Sequence, residues 1–138
     1  DASAYLARHG VATLVVDPGW QTSSDLKRAR TQVRDGGANT ATLANVLNVL
    51  PKRSSRREVL ALAANAVGPE GVVYISVYEG DRSGRGGATR DGWQANRSAA
   101  SYEREVQEFF GEVRRVGGHL EARAARVVAQ PPMVCAAR

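Results

Sequence analysis

The run Val72-Val73-Tyr74-Ile75-Ser76-Val77-Tyr78 constrains the fold more than any other part of the chain. It is almost wholly β-branched or aromatic and lies between Glu70-Gly71 and Glu79-Gly80. A short continuous apolar run of this kind, with turn residues on both sides, reads as a strand buried on both faces. A helix leads into it. Ser55-Arg56-Arg57-Glu58 has the pattern of a capping box. Val59, Leu60, Ala63 and Val67 fall on one face at helical spacing, and Gly68-Pro69 stops the helix. A buried strand reached through an amphipathic helix belongs to a layered α/β architecture.

The rest of the chain repeats the theme. Ala2 to Arg8 reads as the end of a helix, with Gly10 at its left-handed cap. Val11-Ala12-Thr13-Leu14-Val15-Val16 predicts a second buried strand, closed by Asp17-Pro18-Gly19-Trp20. Asp25 to Arg34 predicts a short exposed helix, and Asn39 to Leu43 another buried strand. The two asparagines of Ala44-Asn45-Val46-Leu47-Asn48-Val49-Leu50-Pro51 argue against a strand running straight through that stretch. Glu79 to Arg97 reads as a glycine- and arginine-rich loop. Ser98 is placed to cap a helix whose apolar face is Tyr102, Val106, Phe109 and Phe110. Gly117-Gly118, flanked by Val113–Val116 and His119–Ala125, signals a hairpin. The expected fold is thus α/β: a Rossmann-like, mostly parallel sheet with helices on both faces and a C-terminal antiparallel hairpin. Residues 1–126 form the domain and 127–138 a tail.

At 138 residues the chain holds one domain. Its single cysteine, Cys135, rules out an internal disulfide, and with only His9 and His119 there is no metal-ligand cluster. No run is long enough to span a bilayer and nothing reads as a signal peptide, so no membrane partner is expected and the cytoplasm is the default location. The net charge is +5, and every basic residue except Lys27 and Lys52 is arginine. Basic residues cluster at Lys27, Arg28, Arg30 and Arg34, at Lys52, Arg53, Arg56 and Arg57, and at Arg82, Arg85, Arg90 and Arg97. Solvated helix faces account for such clusters, and so does a phosphate-bearing partner such as a nucleic acid. With 6% aromatic residues, a stacking platform for single strands is poorly supported.

In open α/β sheets ligands bind beyond the carboxyl ends of the strands. The residues to inspect are Asp17, the Ala44-Asn45-Val46 corner, and Tyr78-Glu79-Gly80-Asp81. A carboxylate at a strand end can accept hydrogen bonds from a ribose diol, and an aspartate before proline is equally a turn former. Asn45 and Asn48 each either close a turn or face a ligand, since a buried amide must be paired. Gly80 to Gly87 follows a strand but lacks the Gly-Lys-Ser/Thr ending of a P-loop, and a plain loop is the better reading. No carboxylate pair or serine–histidine pair stands out as catalytic.

These corners, in this order, resemble the class I S-adenosylmethionine-dependent methyltransferases, in their bacterial and phage branch. Val15-Val16-Asp17-Pro18 resembles the family's second motif, Thr42 to Pro51 its fourth-strand motif, and Arg57 to Tyr78 its next helix and fifth strand. The loop Tyr78 to Gly84 and Gly92-Trp93-Gln94 carry the likeness further. The glycine-rich first motif is not in this chain. The resemblance therefore implies a partial domain whose central strand is missing, with Asp1 closing that motif. It implies S-adenosylmethionine as cofactor. Asp17 would hold the ribose, Pro18 would lie against adenine, and Asn45 with the backbone of Ala44 and Val46 would face the methionine end. Tyr78, Glu79, Arg82 and Trp93 would border an unidentified methyl acceptor. The Asn/Asp-Pro-Pro-Tyr/Phe motif of amino-methylating DNA enzymes is absent. Two other readings stand beside this one: a dinucleotide-binding domain of oxidoreductase type, and a non-enzymatic arginine-rich nucleic-acid-binding module. The hairpin suits an antiparallel last strand beside the fifth, which counts against the dehydrogenase reading.

Overall fold

The computed structural model describes residues 2–17, 21–33 and 37–126. In chain order the helices are α1 (Ala2–Arg8), α2 (Ser23–Val33), α3 (Arg53–Val67) and α4 (Glu103–Gln107). The strands are β1 (Thr40–Ala44), β2 (Val72–Ser76), β3 (Gly86–Thr89), β4 (Gly92–Ala95), β5 (Phe110–Val116) and β6 (His119–Ala125). Short 3-10 turns cover Leu47–Val49 and Ala99–Tyr102.

The main sheet has the order β1-β2-β6-β5. β1 and β2 are parallel, with Thr40 opposite Val72 and Ala44 opposite Ser76. β6 runs antiparallel to β2 and, through the hairpin, to β5. The fold is α/β, but the expectation of a mostly parallel sheet is corrected: one pair is parallel and two are antiparallel. The hairpin returns its second strand, rather than its first, to β2, so among the described residues the one parallel contact is that made through the α3 crossover.

The core lies on one face. Val73 and Ile75 of β2 and Leu120 and Ala122 of β6 pack with Leu60, Ala64 and Val67 of α3 and with Tyr102, Val106, Phe109 and Phe110. The alternation of a strand sends the next residues the other way. Thr42, Ser76 and Arg123 are exposed there, while Tyr74 and Glu121 are half-buried. Among the described residues α3 and the 99–107 stretch cover one face, whereas the opposite face is exposed at Thr42, Ser76 and Arg123 and buries Val72 and part of Tyr74, so the expected helices on both faces are not seen. At the far end of β6 the alternation breaks. Ala124 has a φ of 54°, and Ala125 is buried although Arg123, two residues earlier, is exposed.

The strand expected at Val11–Val16 does not form. Among the described residues this segment joins no ladder, and Val11, Leu14 and Val15 are 45–53% exposed. A β-branched run becomes a buried strand only beside a neighbour. The helix before it ends as expected. Val11 N–H donates to the Leu6 carbonyl (3.0 Å) and Gly10 N–H to that of Ala7 (3.1 Å), with Gly10 at φ 75°. That is a Schellman motif, which needs a left-handed residue at the glycine.

The capping box is also corrected. α3 starts at Arg53, so Ser55 lies inside it, and the capping residue Lys52 makes no side-chain capping bond. The stop at Gly68 holds, its N–H donating to the Ala64 carbonyl at 3.0 Å. Within the stretch read as one loop, β3 and β4 form a separate two-stranded ribbon, turning at Arg90-Asp91.

Candidate functional site

Because β1 and β2 are parallel, their carboxyl ends lie side by side. Asn45 N–H donates to the Ser76 carbonyl (2.9 Å), which ties the Ala44-Asn45-Val46 corner to the end of β2. Asn45 has a φ of 57°, a left-handed conformation that asparagine tolerates better than most residues. The backbone turn thus accounts for an asparagine at this position, and its side chain is left exposed. Ala44 is exposed and Val46 half-buried.

Asn48 is different. It is 1% exposed, and its Nδ2 donates to Gln94 Oε1 across the gap to β4 (3.0 Å). Gln94 Nε2 donates in turn to the carbonyls of Tyr78 (3.0 Å) and Ala95 (2.5 Å). Three parts of the chain meet here: the turn after β1, the segment after β2, and the ribbon. Tyr78, bonded here only through its carbonyl, is 65% exposed. Trp93 lies across the ribbon against Gly86, where any Cβ would collide with its indole.

The other candidate residues have structural partners. Glu79 Oε1 accepts the N–H of Ala99 (3.0 Å), and Oε2 pairs with Arg82 Nε (2.5 Å). The Ala99 N–H above all, and then the Arg82 guanidinium, hold the Glu79 carboxyl below its usual range. The acid therefore caps the 99–107 helical stretch, a role expected of Ser98, which makes no side-chain capping bond. In the glycine-rich loop, the N–H groups of Arg82, Ser83, Gly84 and Arg85 go to Glu79 O, Asp81 Oδ1, Asn96 O and Ser83 Oγ. A loop whose donors are consumed internally does not cradle a phosphate. Ser83 likewise draws the Asp81 carboxyl below its usual range.

Asp17 is tied to its own turn. Its N–H donates to Gln21 Oε1 (2.8 Å), and its carbonyl accepts from Gln21 N–H (3.1 Å). Pro18 lies outside the described residues. A cleft of about 290 Å³, lined by Leu14, Gln21, Asp25 and Arg28 among others, opens between this segment and α2. Its acid is already engaged, since Asp25 accepts from Arg28 (2.6 Å) and Thr22 (2.7 Å). The structure thus joins Ala44, Asn45, Val46 and Tyr78 at the strand ends and adds Asn48 and Gln94, while it anchors Asp17 to Gln21.

The basic clusters resolve in the same way. Arg53 and Arg57 both pair with Glu108, and Arg56 pairs with Glu105 (2.7 Å). Arg97 stacks on Tyr102 at 3.9 Å from the ring centroid. The densest basic patch of the sequence is therefore partly paired: Glu105 and Glu108 meet three of its arginines, and Arg53 and Arg57 stay 63% and 46% exposed.

Among the described residues no helix is long and apolar enough to cross a membrane. Comparison with known protein families, curated proteins and solved structures yields no match.

Proposed function

We propose that this chain is the acceptor-side part of an S-adenosylmethionine-dependent methyltransferase domain. The observation that carries the reading is the placement of β6. It runs antiparallel between β2 and β5, beside a parallel β1–β2 pair. The resemblance implies an antiparallel last strand beside the fifth, and a dehydrogenase-type domain does not. The corner residues suit the cofactor's methionine end: Asn45 is exposed at a strand end and Ala44 leaves backbone open beside it. When bound, the cofactor supplies an electrophilic methyl group. The chain's part is to hold acceptor and sulfonium in line at about 3 Å and exclude water, which requires no catalytic dyad. Tyr78 and Trp93 would border the acceptor side.

The arginine-rich binding module is the alternative; Arg53, Arg56 and Arg57 already pair with Glu105 and Glu108, which leaves fewer of them for a phosphate-bearing partner. Isothermal titration of the full-length protein with S-adenosylmethionine tests the proposal. Saturable heat supports it, and no heat at millimolar cofactor overturns it.

A further inference from the structure

The β3–β4 ribbon is tied to the rest of the chain by very little. Every residue from Asp81 to Gly92 is exposed. The ribbon is a two-stranded sheet of its own, a unit that is marginal in water unless something holds it. It rests on the Leu47–Val49 turn through β4. Among the described residues, Gln94 is the one residue of Gly86–Ala95 that hydrogen-bonds beyond the ribbon, and it does so twice. Its Oε1 accepts from Asn48 Nδ2 (3.0 Å), and its Nε2 donates to the Tyr78 carbonyl (3.0 Å).

The stem is firm at its foot and bent above it. Glu79 Oε1 accepts from Ala99 N–H (3.0 Å), which pins the two ends of the excursion together. Just beyond, Gly80, Arg82 and Gly84 have φ values of 60°, 58° and 75°. Three left-handed residues in five make a sharp bend, and in Arg82 that conformation is strained. Gly84 N–H donates to the Asn96 carbonyl (2.7 Å) and Asn96 N–H to that of Arg85 (3.2 Å), so the paired part reaches down to the bend. A stiff ribbon on a bent stem can swing as one piece. Its closed position has a cost, because Asn48 Oδ1 is buried there with no hydrogen-bond partner. Lifting exchanges the two outward bonds of Gln94 for bonds to water and gives Asn48 Oδ1 a water it lacks. Burial of Ala95, 4% exposed, favours closure.

We propose that the ribbon is a lid beyond the carboxyl ends of β1 and β2, with Gln94 as its latch, and that it opens without unfolding the main sheet. Trp93, which lies against Gly86, travels with it. On the methyltransferase reading the lid would close over the acceptor and exclude water. The lid itself rests only on how the ribbon is anchored.

Hydrogen exchange of the Asn48 side-chain amide, read by NMR on the full chain without cofactor, tests the proposal. A local opening makes that exchange independent of urea below the unfolding transition, while the slowest backbone amides of β2 and β6 follow global unfolding. Gln94→Glu keeps an acceptor for Asn48 but cannot donate to the Tyr78 carbonyl. It is expected to speed Asn48 exchange by about tenfold, the worth of one hydrogen bond, and to leave β2 and β6 as protected as before. Asn48 exchange that rises with urea in parallel with β2 and β6 would overturn the proposal, and so would an unchanged rate in Gln94→Glu. The urea series on the unaltered chain decides the matter if the variant does not fold. A lid that fails this test leaves the methyltransferase reading standing, and a cofactor titration without heat leaves the lid standing.

Discussion

Arg56 of α3 and Glu105 of α4 form a buried ion pair, Nε to Oε2 at 2.7 Å, with side chains 9% and 13% exposed. The same guanidinium donates to the carbonyls of Leu50 (2.8 Å) and Pro51 (3.0 Å). One side chain thus fastens the turn after β1, the helix that follows, and the short helix before the hairpin. Removing Arg56 leaves the buried Glu105 charge with only its longer contact to Arg97 (3.5 Å). Arg56→Met is expected to cost about 3 kcal/mol in urea unfolding, with little dependence on salt. An effect below 1 kcal/mol (roughly that of an exposed pair) would show that the pair is solvated.

Tyr102 is 1% exposed, and its hydroxyl has no hydrogen-bond partner. Burial pushes its pKa up, because the phenolate cannot be hydrated there. Tyr102→Phe removes an unsatisfied group and keeps the ring under Arg97. The variant should be more stable by about 1 kcal/mol, read as a higher thermal midpoint.

Ala124 adopts a φ of 54°, where a Cβ is crowded against the following carbonyl oxygen. Ala124→Gly relieves that crowding at some cost in unfolded-state entropy. A net gain of about 0.5 kcal/mol is expected. A loss of stability would show that the Ala124 methyl packs well enough to outweigh the strain.

Glu79 titrates below its ordinary value of 4.5 because its charged form accepts the Ala99 N–H and pairs with Arg82. A folded-state pKa below the unfolded one gives stability that is present above the unfolded value and is lost as pH falls through the folded one. Acid unfolding should therefore steepen below about pH 4.5, and Glu79→Gln should flatten that part of the curve. An unchanged slope would mean that the cap contributes nothing to stability.

Ligand class is read most cheaply by thermal shift. S-adenosylhomocysteine is expected to raise the midpoint of the full-length protein, and nicotinamide dinucleotides to leave it unchanged. The reverse result would favour the dehydrogenase-type reading.

Local signals were a good guide at several turns and helix ends, though not at the capping box of α3. Gly68 stopped α3, Gly117-Gly118 set the β5–β6 hairpin, and Val72–Ser76 became the central strand. They failed where a partner decides. Val11–Val16 has the residues of a strand, yet pairing is made by a neighbour and not by propensity. Gly86-Gly87-Ala88-Thr89 holds a single strong strand former, and β3 owes its existence to β4 and to Trp93 lying over Gly86. Ser98 has the right chemistry for a cap, but the N–H that is capped is that of Ala99, and Glu79, twenty residues before it, supplies the oxygen. At the candidate site, an asparagine inside an apolar run announced a polar group in need of a partner. Nothing near Asn48 in the chain could say that the partner is Gln94.

The two borders of the main sheet differ in character. β5 carries Glu112, Arg114 and Arg115, whereas β1 is Thr-Ala-Thr-Leu-Ala and, among the described residues, pairs only with β2. Charge on the outer strand is how soluble proteins discourage unwanted strand docking, and the β1 side has none. At high concentration this lip would recruit whatever extended peptide drifts past, its own kind included. A lysine at Thr42 would be the simplest remedy for a sample that clouds on standing.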